Sequence, residues 1–374
     1  MDDLLNLADF EAAALARLPA GIRDYYRGGA NDEVALHENR AAWDRWQLHY
    51  RVLRNVAERD LSTTIFGARL DWPVMIAPTA YHRMAHPDGE GATARAAAAL
   101  GTVMVLSTLS NTPMEEVARE ASRGLWFQLY VYKDRGITAE LIARAEAAGC
   151  GAIAVTVDAP VGGQRERDLR NGFSYPTDLP MSNLLPRGAQ YATPDLGDGG
   201  FMGYVNRMFD PSLSLPDLEW IVARTRLPVL VKGVARPDDA RAALAHGARG
   251  LIVSNHGGRQ LDASPATVDV LGPVVEAVGD GAPVLVDGGI RRGADVLRAL
   301  ALGASAVLIG RPVLWGLAVG GEAGVRRVLD LLRHEFDVAM ALAGCRSLAD
   351  VDRSLVARIG ERPPAAATRQ GRAR

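Results

Sequence analysis

Short apolar runs alternate along the chain with longer segments rich in Ala, Arg and Glu. The runs are Val74–Ala77, Val103–Ser107, Leu125–Leu129, Ala152–Val157, Val229–Val231, Gly250–Ser254, Val284–Val286 and Ala306–Ile309. They show no apolar/polar alternation, as expected of parallel strands covered on both faces. Between them the pattern changes to helical spacing. Over Gly136–Ala148, residues Ile137, Leu141 and Ala145 fall on one face. Asp238–Leu244, Asp295–Leu302 and Gly324–Phe336 read the same way, and Pro113 and Pro216 open Met114–Ala121 and Asp217–Ala223. "HGARG", "LGASA" and "AAGCGA" place helix-ending glycines just before a strand.

Eight strand–helix units in succession predict an α/β fold, a (β/α)8 TIM barrel. A doubly wound open sheet competes, but the count of eight and the regular spacing favour closure. The pattern predicts one domain over residues 1–360, with the barrel proper at about 71–342. Residues 1–70 form an N-terminal extension, helical and then irregular. Residues 160–215, rich in Pro, Gly, Asn and Asp, form a long loop after the fourth strand. Residues 361–374 read as a frayed tail.

Composition narrows the function. Hydrophobic residues make up 48% of the 374, enough for a large core, and 42 Lys+Arg stand against 44 Asp+Glu. No basic stripe suggests nucleic-acid binding. The acidic start lacks the order of a signal peptide, and no apolar run reaches the length of a membrane span. Neither a nucleic acid nor a membrane is therefore expected as a partner. Two cysteines, Cys150 and Cys345, are too few for a disulfide framework; a reducing, cytoplasmic setting is the expectation. No metal site is expected.

Barrels of this kind build their sites at the C-terminal ends of the strands. The strand ends here carry Pro78-Thr79-Ala80, Ser107, Gln128-Leu129-Tyr130, Thr156-Val157-Asp158, Lys232-Gly233, Ser254-Asn255-His256, Asp287-Gly288-Gly289 and Gly310-Arg311. Polar groups converge on one rim. "VDGGIRRGADV" and "LIGRPV" put glycine and arginine directly after strands seven and eight, the usual phosphate site of the fold. Glycine lets backbone N–H groups approach a phosphate, and arginine adds bidentate donors. In "SNHGGRQLD", His256 can take a proton near neutral pH and Arg259 can grip a carboxylate. A capped loop whose histidine only hydrogen-bonds backbone is the plain alternative. Asp158, Tyr130 and Lys232 on the same rim weigh against it.

With these motifs the chain resembles the FMN-dependent α-hydroxy-acid oxidases and dehydrogenases, over roughly residues 8 to 355. "APTAYHRMAHPDGE", "QLYVYKD", "LVKGV", "SNHGGRQLD", "DGGIRRGADV" and "IGRPV" carry the resemblance. It implies FMN as cofactor and oxidation of an (S)-2-hydroxy acid to the 2-oxo acid. His256 would be the base that removes the substrate's hydroxyl or α-proton, and Asp158 would hold that imidazole. Tyr130 would hydrogen-bond the substrate oxygen. Tyr25, Arg165 and Arg259 would bind its carboxylate; a shift of alignment would exchange Arg165 with Arg167. Lys232 would stabilise the reduced anionic flavin ring. Pro78, Thr79, Ala80, Ser107, Gln128, Thr156 and Ser254 would line the flavin. Asp287, Gly288, Gly289, Arg291, Gly310 and Arg311 would hold its ribityl and phosphate groups. The family also implies a homo-oligomer, a tetramer or larger.

Departures from the family pattern bear on substrate and acceptor. Leu109 replaces a bulky aromatic of glycolate-type oxidases, and Tyr81 replaces a methionine. A pocket for substrates larger than glycolate follows, such as lactate, longer chains or mandelates, unless Tyr81 fills the space that Leu109 vacates. Ala80 stands where the family's oxidases usually have alanine and its membrane dehydrogenases tend to have glycine. That favours O2 as acceptor, with H2O2 formed, over a quinone or cytochrome. No haem-binding domain is expected before the barrel.

Overall fold

The computed structural model describes residues 1, 3–176, 178–184 and 200–364. Eight parallel strands close into a barrel: β1 (Val74–Ile76), β2 (Met104–Ser107), β3 (Leu125–Leu129), β4 (Ile153–Thr156), β5 (Val229–Val234), β6 (Gly250–Val253), β7 (Val284–Val286) and β8 (Ala306–Ile309). Neighbours follow chain order, and β8 pairs with β1 to shut the ring. The strands lie within a residue or three of the apolar runs in the sequence.

The absence of alternation has its cause in two buried faces. Met75, Val105, Trp126, Ala154, Leu230, Ile252, Leu285, Ala306 and Leu308 cluster inside the barrel. Their strand neighbours, such as Val74, Leu106, Phe127, Val155 and Val286, pack outward into the layer beneath the helices. Side chains two apart along a strand share a face. One step up from the inner layer, the same parity brings Ser107, Gln128, Thr156, Lys232, Ser254 and Asp287 to the barrel mouth. The interior is therefore apolar below and polar at the C-terminal rim.

The helices between strands fall where the spacing predicts, among them Arg135–Ala147, Pro237–Ala245 and Gly293–Ala301. The predicted segment Gly324–Phe336 is part of a longer helix, Arg311–Leu342, broken at Gly320 and Gly321. Helices Gly89–Ala99 and Thr267–Val278 escape the sequence pattern. Residues 160–215 are not one irregular loop: they hold helices Glu166–Arg170 and Gly200–Met208 and the short turn Ser182–Leu184. Residues 177 and 185–199 of that loop, and 365–374 of the expected tail, lie outside the described residues.

The extension also shapes the site. Hairpin Thr63–Ile65/Ala68–Leu70 closes the barrel floor, with Phe66 against Trp126. Helices Ala20–Arg27 and Val34–Asp44 reach the opposite end. There Trp43 Nε1 donates to the Gly288 carbonyl at 2.9 Å, fixing a turn of the rim.

Candidate active site

The strand ends and the extension enclose a cavity that is partly open to solvent. Most of the residues expected from the sequence line it: Tyr25, Pro78, Thr79, Ala80, Ser107, Leu109, Gln128, Tyr130, Thr156, Arg165, Lys232, His256, Arg259, Asp287, Gly288, Gly289, Arg291, Gly310 and Arg311. Asp158 and Ser254 stand one hydrogen bond behind the wall. Tyr81 is elsewhere. Its ring is fully buried against Tyr25 and Tyr175, and its backbone is left-handed (φ 63°) where the Tyr26 hydroxyl donates to its carbonyl at 2.5 Å. That turn draws the ring behind Tyr25, while Leu109 lines the cavity. Tyr26, Ile290 and Leu314 line it without having been singled out in the sequence.

His256 is the first of three consecutive left-handed residues (φ 57°, then 66° and 74° at Gly257 and Gly258). Its Nδ1 lies 2.8 Å from Asp158 Oδ1, and its Nε2 lies 3.4 Å from Tyr130 Oη. The carboxylate can only accept, so Nδ1 carries the hydrogen and Nε2 presents a lone pair to the cavity. Burial pushes the imidazole below its ordinary value, against the pull of Asp158 and with the help of Lys232 and Arg165. Burial alone would raise the Asp158 carboxyl, but His256 and Lys232 hold it below the usual carboxylate range. Burial likewise raises the Tyr130 hydroxyl far above ordinary phenols, so it stays a neutral donor.

Lys232 owes its position to a bulge. The β5–β6 register shifts between Lys232 and Val234, with Gly233 at φ 110°. A Cβ there would lie 2.6 Å from Asp158 Cβ, so only glycine lets the lysine strand pass the carboxylate. Lys232 Nζ donates to Ser254 Oγ at 2.9 Å and lies 3.3 Å from Asp287 Oδ2. Burial opposes its charge, but Asp287 and Asp158 keep its ammonium above the ordinary range.

The arginines separate by partner. Arg165 is buried on the cavity wall, its guanidinium 6.0 Å from the Tyr25 ring centre. Arg167 turns away into a two-point pair with Glu33 (2.6 and 2.7 Å). Arg259 donates to the Tyr25 and Gly28 carbonyls (2.6 and 2.9 Å) and stands over the Tyr25 ring. Burial beside Arg165 lowers it to about 10, so it is charged at neutral pH. Arg311 donates to Tyr26, Gly28 and Gly257 carbonyls.

A family model described as FMN-dependent dehydrogenase matches residues 14–358. The chain belongs to this family. Its similar proteins include human 2-hydroxyacid oxidase 1 (49% identical, covering 94% of this chain and 96% of that one) and a Nostoc sp. L-lactate oxidase (50%, 94% and 98%). Among solved structures, a mandelate oxidase with (S)-4-hydroxymandelic acid superposes with a TM-score of 0.89 at 43% identity, covering 95% of this chain and 99% of that one.

The cofactor of an FMN-dependent dehydrogenase fits the residues present. Asp287 Oδ1 is buried without a hydrogen-bond partner, an acceptor for a ribityl hydroxyl. A Cβ on Gly289 (φ 73°) would lie 1.7 Å from the Asn39 carbonyl oxygen, so the backbone itself forms that wall. Arg291 and Arg311, both half-buried, supply positive charge at the same end. At the other end Gln128 spans Ser107 and Thr156, accepting from one at 3.3 Å and donating to the other at 2.9 Å. Those amide and hydroxyl groups, with the Lys232 ammonium, suit the polar edge of a flavin.

Proposed function

We propose that the protein oxidises an (S)-2-hydroxy acid with a side chain larger than that of glycolate to the 2-oxo acid, with O2 as final acceptor and H2O2 as its product. One observation carries this reading: His256, Tyr130, Arg165 and Arg259 line one cavity. A carboxylate, a hydroxyl and an acidic hydrogen on adjacent carbons need those three kinds of partner. The names of its relatives, oxidases of hydroxy acids, lactate and mandelate, point the same way.

In this reading Arg165 and Arg259, with the Tyr25 hydroxyl, hold the substrate carboxylate. Tyr130 holds the substrate's 2-oxygen. His256 Nε2 takes the proton that leaves the substrate as the carbonyl forms, and Asp158 stabilises the imidazolium. When bound, FMN accepts the two electrons and the hydrogen equivalent that the substrate gives up. Lys232 offsets negative charge at the flavin edge. Leu109, with Tyr81 withdrawn, leaves room for an alkyl or aryl group. Ala80 supports oxygen as acceptor. A cytoplasmic location belongs to the same proposal, supported by two buried free thiols.

The test is to mix the yellow protein anaerobically with (S)-lactate, (S)-mandelate and glycolate in turn, then admit air. Bleaching by lactate or mandelate faster than by glycolate, followed by rapid recovery with stoichiometric peroxide, is expected. Slow recovery in air would transfer the protein to the dehydrogenases. Fastest bleaching by glycolate would overturn the substrate assignment.

A further inference from the structure

Behind the cavity wall at the end of β1 lies a buried hydrogen-bond chain that the proposed chemistry does not use. Thr79 lines the cavity, and His82 is fully buried behind it. The His82 ring bridges two hydroxyls. Its Nε2 lies 2.6 Å from Thr79 Oγ1, and its Nδ1 lies 2.9 Å from Thr93 Oγ1, on helix Gly89–Ala99.

The direction of this chain follows from its far end. The Thr93 hydroxyl donates to the Gly89 carbonyl one turn earlier, at 3.4 Å. With its one hydrogen placed there, Thr93 accepts from the ring, the arrangement in which the ring hydrogen sits on Nδ1. In that arrangement Nε2 holds a lone pair and accepts the Thr79 hydroxyl hydrogen. Buried Glu90 does not reverse this. Its oxygens accept from the His82 and Asn111 backbone N–H groups and from Thr112 Oγ1 (3.1, 3.0 and 2.8 Å). Burial keeps the ring below its ordinary value, against the pull of Glu90 and of the Thr79 backbone, which favours the neutral form. The other side of Thr79 is also fixed. A Cβ on Gly310 would lie only 3.2 Å from Thr79 Cγ2, so the methyl packs at the end of β8.

We propose that His82 is a positioning residue that makes the Thr79 hydroxyl a hydrogen-bond acceptor toward the FMN cavity. This rests on the family's cofactor and not on the choice of substrate. With its hydrogen given to His82, Thr79 Oγ1 has only lone pairs left. It therefore selects an N–H or O–H of the cofactor and disfavours a facing acceptor atom. FMN carries donors of both kinds, ribityl hydroxyls and ring N–H groups, and the reduced ring carries more N–H than the oxidised one.

Two measurements test this on the holoenzyme. Nitrogen-15 NMR of histidine-labelled protein, with the His82 signals assigned by their loss in His82→Gln, should show a neutral ring with hydrogen on Nδ1 at about pH 7. A charged ring, or hydrogen on Nε2, would overturn the proposal. The second is a double-mutant cycle of Thr79→Val and His82→Leu. Each single change should weaken FMN binding by about tenfold, and the double change by no more than one alone. Additive losses would overturn it. His82→Gln can accept from Thr79 through its carbonyl and donate through its amide, so it should recover most of the affinity. If His82→Leu does not fold, that recovery and the NMR signals decide. A midpoint potential that shifts by about 30 mV in the same non-additive pattern places the donor on the flavin ring. An unchanged potential places it on the ribityl chain.

Discussion

Asn39 and Asn255 hold each other by reciprocal amide hydrogen bonds, Nδ2 to Oδ1 at 2.7 Å in one direction and 2.9 Å in the other. Both are buried, and Asn255 precedes His256 in the chain. Asn255 Oδ1 also accepts from Gly258 N at 3.3 Å, so the pair ties the left-handed loop to the helix Val34–Asp44. Asn39→Ala would leave a buried amide short of partners, at about 1–3 kcal/mol. A lower melting temperature is expected, together with slower flavin reduction by substrate as His256 loses its support. Thermal melts and anaerobic rapid mixing would check both; two unchanged values would refute the link.

The His256–Asp158 pair predicts a pH profile. The buried imidazole titrates below its ordinary 6.5, so the acidic limb of kcat/KM should lie below that pH. Asp158 opposes this depression. Asp158→Asn should therefore move the limb to lower pH, while the rate of flavin reduction falls by about 10²–10⁴. A limb that moves upward would contradict the geometry.

Arg165 and Arg167 should separate function from stability. Arg167, through its hydrogen bonds, holds the Glu33 carboxyl at about 2, against the cost of its burial and with help from Gly29 N–H. A depressed carboxyl adds stability above its unfolded value of 4.5 and loses it as pH falls through about 2. Arg167→Met should raise the pH of acid unfolding and leave KM little changed. Arg165→Met should raise substrate KM by about 10- to 100-fold without moving acid unfolding. Steady-state kinetics beside acid titration by circular dichroism would distinguish them, and the opposite pattern would exchange their roles.

Leu109→Trp should fill the space left beside Tyr25. The kcat/KM ratio of (S)-mandelate to glycolate is expected to fall by about tenfold or more, with an overpacking cost of about 1–3 kcal/mol. Equal losses for both acids would place the substrate's side chain elsewhere.

The barrel was legible because its strands are buried on both faces and leave unbroken apolar runs. The rim was legible because parity carries Ser107, Gln128 and Lys232 to the mouth, where polar residues interrupt those runs. Helix Gly89–Ala99 escaped because its alanines draw no apolar stripe, and Thr267–Val278 because Pro273 lies inside it. Tyr81 could not be placed from sequence, since a single left-handed φ decides which way its ring goes. Tyr26 was hidden beside Tyr25: adjacent aromatics on a helix rarely both face one cavity, yet both do here. Asn39 left no signal, because its partner is 216 residues away.

Helices Ala20–Arg27 and Val34–Asp44 deliver Tyr25, Tyr26 and Asn39 to the opposite end from the floor hairpin, which sets a limit for protein engineers. A minimal barrel trimmed to start just before the floor hairpin would keep its eight staves and its sealed interior. It would lose one side of the cavity and the brace of the His256 loop. Grafting this chemistry onto another (β/α)8 scaffold therefore means transplanting two segments, the rim and the arm that reaches over it.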